Sequence, residues 1–164
     1  MKKQLSIILV ILCLAVVGYR IYLSKNLEMN MTAYLERAAN ANSIELAATE
    51  LRTAMTYLES NNINSGYTSI LWNDPSEDIG FWYTNLKVSL EELEQLNTSS
   101  SLEKSNVLLK LRESLLNNKG NVIVPKGLGL YPNNTIWAVL TTTSLIFGLV
   151  GVILYSALKS KDPE

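Results

Sequence analysis

Histidine is absent from this chain. Its absence removes the usual general base at neutral pH, the commonest transition-metal ligand and the familiar hydrolase triads. Cysteine occurs once, at Cys13. One thiol inside an apolar run supports no intramolecular disulfide, no structural zinc site and no thiol nucleophile, and it reads as an inert lipid-facing group. An intermolecular Cys13 pair is the one disulfide left open. Glycine-rich phosphate loops are also missing. The stretch "KGLGLYP" (126–132) has two glycines but no following basic-hydroxyl pair or helix start. The remaining catalytic option is a carboxylate pair, and Glu91, Glu92 and Glu94 fall mostly on a solvated helix face. No catalytic residue, cofactor or metal is expected, and the chain does not read as an enzyme.

Charge is missing where it matters most. Residues 136–158, "IWAVLTTTSLIFGLVGVILYSAL", carry none over 23 positions. As a helix this run is roughly 34 Å long, enough to cross a ~30 Å hydrocarbon core. Its Thr and Ser hydroxyls can bond back to the helix's own carbonyls. The first run, "LSIILVILCLAVVGYRIYL" (5–23), has an uncharged part of 15 residues, Leu5–Tyr19. That length also fits a signal peptide behind Lys2 and Lys3, with Val16 and Gly18 as a small-residue cleavage site. Ile21, Tyr22 and Leu23 continue the apolar character past Arg20, which can snorkel while Tyr19 and Tyr22 sit at the interface. An uncleaved anchor is the preferred reading.

The expected fold is therefore an all-α membrane protein, two transmembrane helices flanking a helical extracytoplasmic domain with a long first helix. Residues 1–4 and 159–164 form cytoplasmic tails marked by Lys2, Lys3, Lys159 and Lys161. Residues 5–23 and 136–158 span the plasma (inner) membrane, and 24–135 face outward. That segment has 13 acidic and 9 basic residues, a mixed surface unlike the clustered Lys and Arg of a nucleic-acid binder. The expected partners are the lipid bilayer and either another protein or a second copy. The sequons at Asn30, Asn97 and Asn133 matter only in a eukaryotic secretory pathway.

Apolar or small residues recur at Leu27, Met31, Tyr34, Ala38 and Ala41, then at Ile44, Ala48, Leu51, Met55 and Leu58. Steps of 4 and 3 alternate in a coiled-coil manner, with one extra 3 at Ala41–Ile44. With no Gly or Pro between Ser24 and Asn61, one helix of roughly 57 Å is expected. "NNINSG" (61–66) ends it.

"DPSED" (74–78) is the clearest start signal. Asp74 is expected as N-cap, Pro75 at the first helical position, and Glu77 as the return arm of a capping box, with Asp78 beside the helix dipole. Calcium-loop spacing is absent. Behind that cap, Ile79, Trp82, Tyr83, Leu86, Leu90, Leu93 and Leu96 share one stripe, with Phe81 off its centre. The aromatics read as core closing the bundle against Tyr57 and Leu58. The alternative is a partner or ligand surface built from Trp72, Phe81, Trp82 and Tyr83. "NTSSS" (97–101) is a break, Ser100 and Glu103 form a second capping box, and a third helix runs to about Asn118. "NVIVPKGLGLYPNN" (121–134) is expected as an extended arm, pairing through "NVIVP" with "YTSILW" (67–72) as two short strands, and Asn134 caps the second membrane helix.

The order membrane helix, outer helices, membrane helix resembles the input half of bacterial chemoreceptors and sensor kinases with helical-bundle input domains. After Leu158 only "KSKDPE" follows, so the resemblance implies a signal passed to a separate chain. The passages "GYTSILWNDPSEDIGFWYTNLKVSLEEL", "LEKSNVLLKLRESLL" and "VPKGLGLYPNN" are similar to small two-pass bacterial membrane proteins, cyanobacterial ones among them. That similarity implies no activity. The function expected is a membrane-anchored helical assembly module, with an extracytoplasmic sensory or ligand-binding domain as the alternative.

Overall fold

A computed structural model describes residues 2–96 and 100–159. The sequon at Asn97, most of the 97–101 break and the tail beyond Lys159 lie outside the described residues. The chain divides into two compact units, Met1–Ser24 with Asn133–Glu164, and Lys25–Pro132. The described residues form helices and turns, with only isolated bridges in place of strands.

The first unit is a helix pair. Helix α1 is Lys2–Leu27 and α6 is Asn134–Lys159. Both are long and apolar enough to cross a membrane. Only 6% of the most apolar window in the first and 17% in the second is buried, whereas a soluble core helix would be mostly enclosed. Two glycines let the helices approach. A Cβ on Gly151 would lie 2.9 Å from the Ser6 carbonyl, and one on Gly148 would lie 2.8 Å from Cys13 Sγ. The thiol thus faces α6 at Gly148, which corrects the lipid-facing reading. Hydroxyls bond back as expected: Thr141 donates to the Trp137 carbonyl at 2.7 Å and Ser144 to that of Thr141 at 2.9 Å. Tyr19 packs on Tyr22 and Trp137 with ring centroids 6.2 and 5.6 Å apart, and Arg20 lies over the Trp137 ring at 5.8 Å. Such amphipathic groups favour a membrane–water boundary. Helix α6 begins one residue earlier than a cap at Asn134 requires, since the Asn133 carbonyl already accepts from Trp137 N–H at 2.8 Å.

In the second unit, the long first helix ends sooner than the sequence suggests. A π-helical turn, Glu28–Thr32, leads into α2, Ala33–Ala39. Asn30 Nδ2 donates to the Asn26 carbonyl at 2.8 Å, and Asn26 Nδ2 to the Tyr57 hydroxyl at 3.2 Å, bracing that turn. The chain then reverses over 40–43, and α3, Ile44–Ser60, packs back on α2. Ser43 caps α3 by accepting from Leu46 N–H at 3.2 Å. The expectation of one helix to Asn61 is therefore wrong. The extra step of 3 at Ala41–Ile44 marks a reversal that turns the two apolar stripes toward each other. Met31, Leu35 and Ala38 share a core with Ala47, Leu51, Ala54 and Leu58, all essentially inaccessible. Outside this seam, Arg37 pairs with the buried Glu50 carboxylate.

Helix α3 ends in a Schellman motif. Ile63 N–H bonds the Leu58 carbonyl at 2.8 Å, Asn62 N–H bonds that of Glu59 at 3.1 Å, and Asn62 takes φ 57°. Helix α4 is Ile79–Gln95 and α5 is Ser101–Leu115. The capping of α4 differs from expectation. Asp74 caps only a 3-10 turn, Pro75–Glu77, accepting from Ser76 N–H at 2.8 Å. Asp78 is the N-cap of α4, accepting from Phe81 N–H at 2.9 Å, while Glu77 receives the Ser69 hydroxyl at 2.6 Å. Two start signals in one run serve two turns, because the backbone is extended at Asp78. Ser100 caps α5, accepting from Glu103 N–H at 3.3 Å. That helix stops at Leu115 rather than near Asn118, since Leu116 is extended and bridges Val122. The expected pairing of "YTSILW" with "NVIVP" does not form. Tyr67 bridges Asp78 instead, and the Thr68 hydroxyl donates to the Lys126 carbonyl of the arm.

Candidate functional site

Helix α4 packs on α3, while α5 packs chiefly on α2. The two are left splayed, and the arm after α5 crosses the gap. A groove of about 670 Å³ results, walled by Phe81, Trp82 and Val88 on α4, Lys110 and Ser114 on α5, and residues 123–126 of the arm. Lys110 spans it to Glu92, with its Nζ 2.7 Å from the carboxylate.

The four aromatics proposed as a surface take different positions. Phe81 is 66% exposed and forms one wall. Trp82 is half-buried against the core, and its indole N–H donates to the Ile123 carbonyl at 3.1 Å. It is core on one side and groove wall on the other, so both readings of this residue hold in part. Tyr83 points elsewhere. It packs on the core and its hydroxyl donates to the Glu59 carboxylate. Burial, together with that carboxylate, pushes the Tyr83 phenol up to about 12. Trp72 is outside the groove as well. It lies at the tip of the 67–78 loop, 80% exposed, beside Leu71 at 76%.

That loop is braced at its base. Thr68 N–H donates to the Glu77 carbonyl at 2.9 Å, Ile79 N–H donates to the Gly66 carbonyl at 2.9 Å, and Tyr131 donates to the Ser65 carbonyl. Gly66 has φ 86° and a Cβ there would lie 3.0 Å from the Tyr131 hydroxyl, so glycine is required at this turn. The tip is thus held out by a closed base rather than left loose.

Sequence reasoning missed Val88, Lys110 and the arm residues Ile123 to Lys126. The β-branched run of the arm signals extension, but nothing local says that it crosses α4. Among the described residues no cluster of three or more acidic or sulfur groups could hold a metal ion. The groove offers apolar and aromatic walls with an amino group at its rim. No family model, no curated protein and no solved structure matches this chain.

Proposed function

We propose that this protein is a membrane-anchored helical assembly module. In this reading α1 and α6 cross the plasma membrane, both ends are cytoplasmic, and the unit Lys25–Pro132 faces the extracytoplasmic side. The observation that carries it is that Leu71, Trp72 and Phe81 stay exposed on a unit that buries a core of its own. Large aromatics left in water on a braced scaffold are the usual anchors of protein interfaces. Lys2, Lys3, Lys159 and Lys161, flanking the outer ends of the two apolar runs, support the orientation. Reporter fusions at Lys25 and after Glu164 are expected on opposite sides of the membrane, and a shared side ends the orientation. Co-purification from mild detergent is expected to retain a protein partner or a second copy, at a level that falls when Trp72 is replaced by Ser.

A second reading has its own observation. The groove volume lies within the ~300–1,000 Å³ typical of small-molecule sites, which favours a sensory or ligand-binding domain. A small molecule retained through native mass spectrometry, and lost on Phe81→Ala, is the result that selects it.

A further inference from the structure

The loop tip and the groove are neighbours on the unit Lys25–Pro132. Pro75 and Ser76, three and four residues after Trp72, already form part of the groove wall. Asp74, just before them, is held ionised by hydrogen bonds from Ser76 and, more weakly, by the charge of Lys126 on the arm. The tip does not fold into its own groove. Asp74 N–H donates to the Trp72 carbonyl at 3.1 Å and its carboxylate caps Ser76, so the chain turns away at once. A protruding apolar tip beside an apolar groove, on one molecule, is a self-complementary pair. We propose that two copies of this chain exchange tips, with Leu71 and Trp72 of each copy entering the α4–α5 groove of the other.

The exchange rests on the assembly reading above and names its partner. Because tip and groove are adjacent, one two-fold axis lets both insertions occur together, and the contact closes as a dimer instead of growing into a filament. The groove is large enough for an indole and a leucine side chain, and Phe81, Val88 and Ile123 give them apolar walls. Charge agrees as well. Asp74 and Lys126 lie at the same rim of each copy, so a two-fold contact there sets opposite charges of the two copies side by side. The exposed aromatics supply about half of the area required. Two copies each of Trp72 and Phe81, at up to about 150–250 Å² apiece, supply at most roughly 600–1,000 Å² of the ~1,200–2,000 Å² that a stable interface buries. Leu71, Val88 and Ile123 add to it.

The test uses the full chain in a mild detergent, followed by sedimentation equilibrium over a range of concentrations. A dimer is expected, and Trp72→Ser and Val88→Lys should each weaken it at least tenfold. Both side chains are exposed, so helical content and thermal unfolding should match the parent. With Cys13→Ser throughout, copies bearing Trp72→Cys are then mixed with differently tagged copies bearing Val88→Cys. Oxidation should join the two tags in preference to either alone. A dimer of unchanged strength after Trp72→Ser, or disulfides only between like copies, overturns the exchange while leaving the assembly reading standing. A monomer at every concentration also overturns it. In that case a photo-crosslinker at Trp72 that captures a different protein keeps the assembly reading, and one that captures nothing ends both.

Discussion

Replacing Trp82 tests the packing on which the groove depends. The indole is half-buried, so its removal forfeits about 150 Å² of apolar burial, the lower end for a packed aromatic. At ~25 cal/mol per Å² that is close to 4 kcal/mol. A compact unfolded state lowers it to roughly 2.5–3.5 kcal/mol. The hydrogen bond from Nε1 to the Ile123 carbonyl adds about 1 kcal/mol. Trp82→Ala is therefore expected to cost about 3.5–4.5 kcal/mol, a large share of a small domain's stability. Trp82→Phe keeps most of the area and loses the donor, so about 1 kcal/mol is expected. The measurement is urea unfolding of the full chain in detergent, followed by circular dichroism. In a parent with Trp72 and Trp137 replaced by Phe, Trp82 fluorescence should report partial shielding. A cost below 1 kcal/mol for Trp82→Ala, or equal costs for the two variants, would refute the division of this residue between core and wall.

Other expectations follow from single contacts. Asp78→Ala should cost about 1 kcal/mol by uncapping α4, whereas Asp74→Ala should leave the helical content of α4 unchanged; the reverse ranking in urea would restore Asp74 as the cap. Gly148→Cys should form an intrachain disulfide with Cys13 under mild oxidation, because the built Cβ lies 3.0 Å from Cys13 Cβ, near the ~3.5–4.5 Å of real bridges. Persistent free thiols would count against the α1–α6 register. For Tyr83 the folded-state value lies above the unfolded one, so its contribution is intact below pH ~10 and is lost as pH rises through about 12. Tyr83→Phe should flatten the alkaline fall in stability over that window, and identical pH profiles would rule out the Tyr83–Glu59 contact.

Local patterns were sufficient to read the helices and most of their faces. Ile44, Ala48, Leu51, Met55 and Leu58 are all buried, as their spacing implies, and so are Ile79, Leu86 and Leu93. The reversal at 40–43 was harder. A phase slip of one residue step is compatible with an adjusted supercoil or with a chain that turns back. No glycine or proline marks the spot, and Asn40 with Ser43 are only moderate helix breakers. What decides between them is whether Leu35 and Ala38 find Ala47 and Leu51 across the gap, a long-range term that no window of sequence contains. The acidic run "DPSED" shows the same limit in miniature. Its two aspartates each satisfy a cap, and the choice between them depends on where Tyr67 and Thr68 hold the backbone.

The groove was legible on one wall only. Phe81 off the stripe and Trp82 on it follow from the angle between successive helical positions, so a half-exposed aromatic edge on α4 could be read directly. The opposite wall comes from residues 123–126, about forty positions later, and exists because α4 and α5 choose different helices to pack against. That choice leaves α4 and α5 splayed, and the arm then spans the gap through Trp82 and the Ile123 carbonyl. The groove is thus a consequence of the hairpin reversal itself. A continuous first helix would place α2 beyond the reach of α5, and the two walls would not be opposed. A variant that straightens residues 40–43, such as Asn40→Ala with Asn42→Ala and Ser43→Ala, should therefore loosen the α4–α5 groove without touching it. The readout is Trp82 emission in the single-tryptophan parent, which is expected to shift red as the arm releases the indole. Emission that stays unchanged while helix content rises would show that the arm holds Trp82 independently of the reversal.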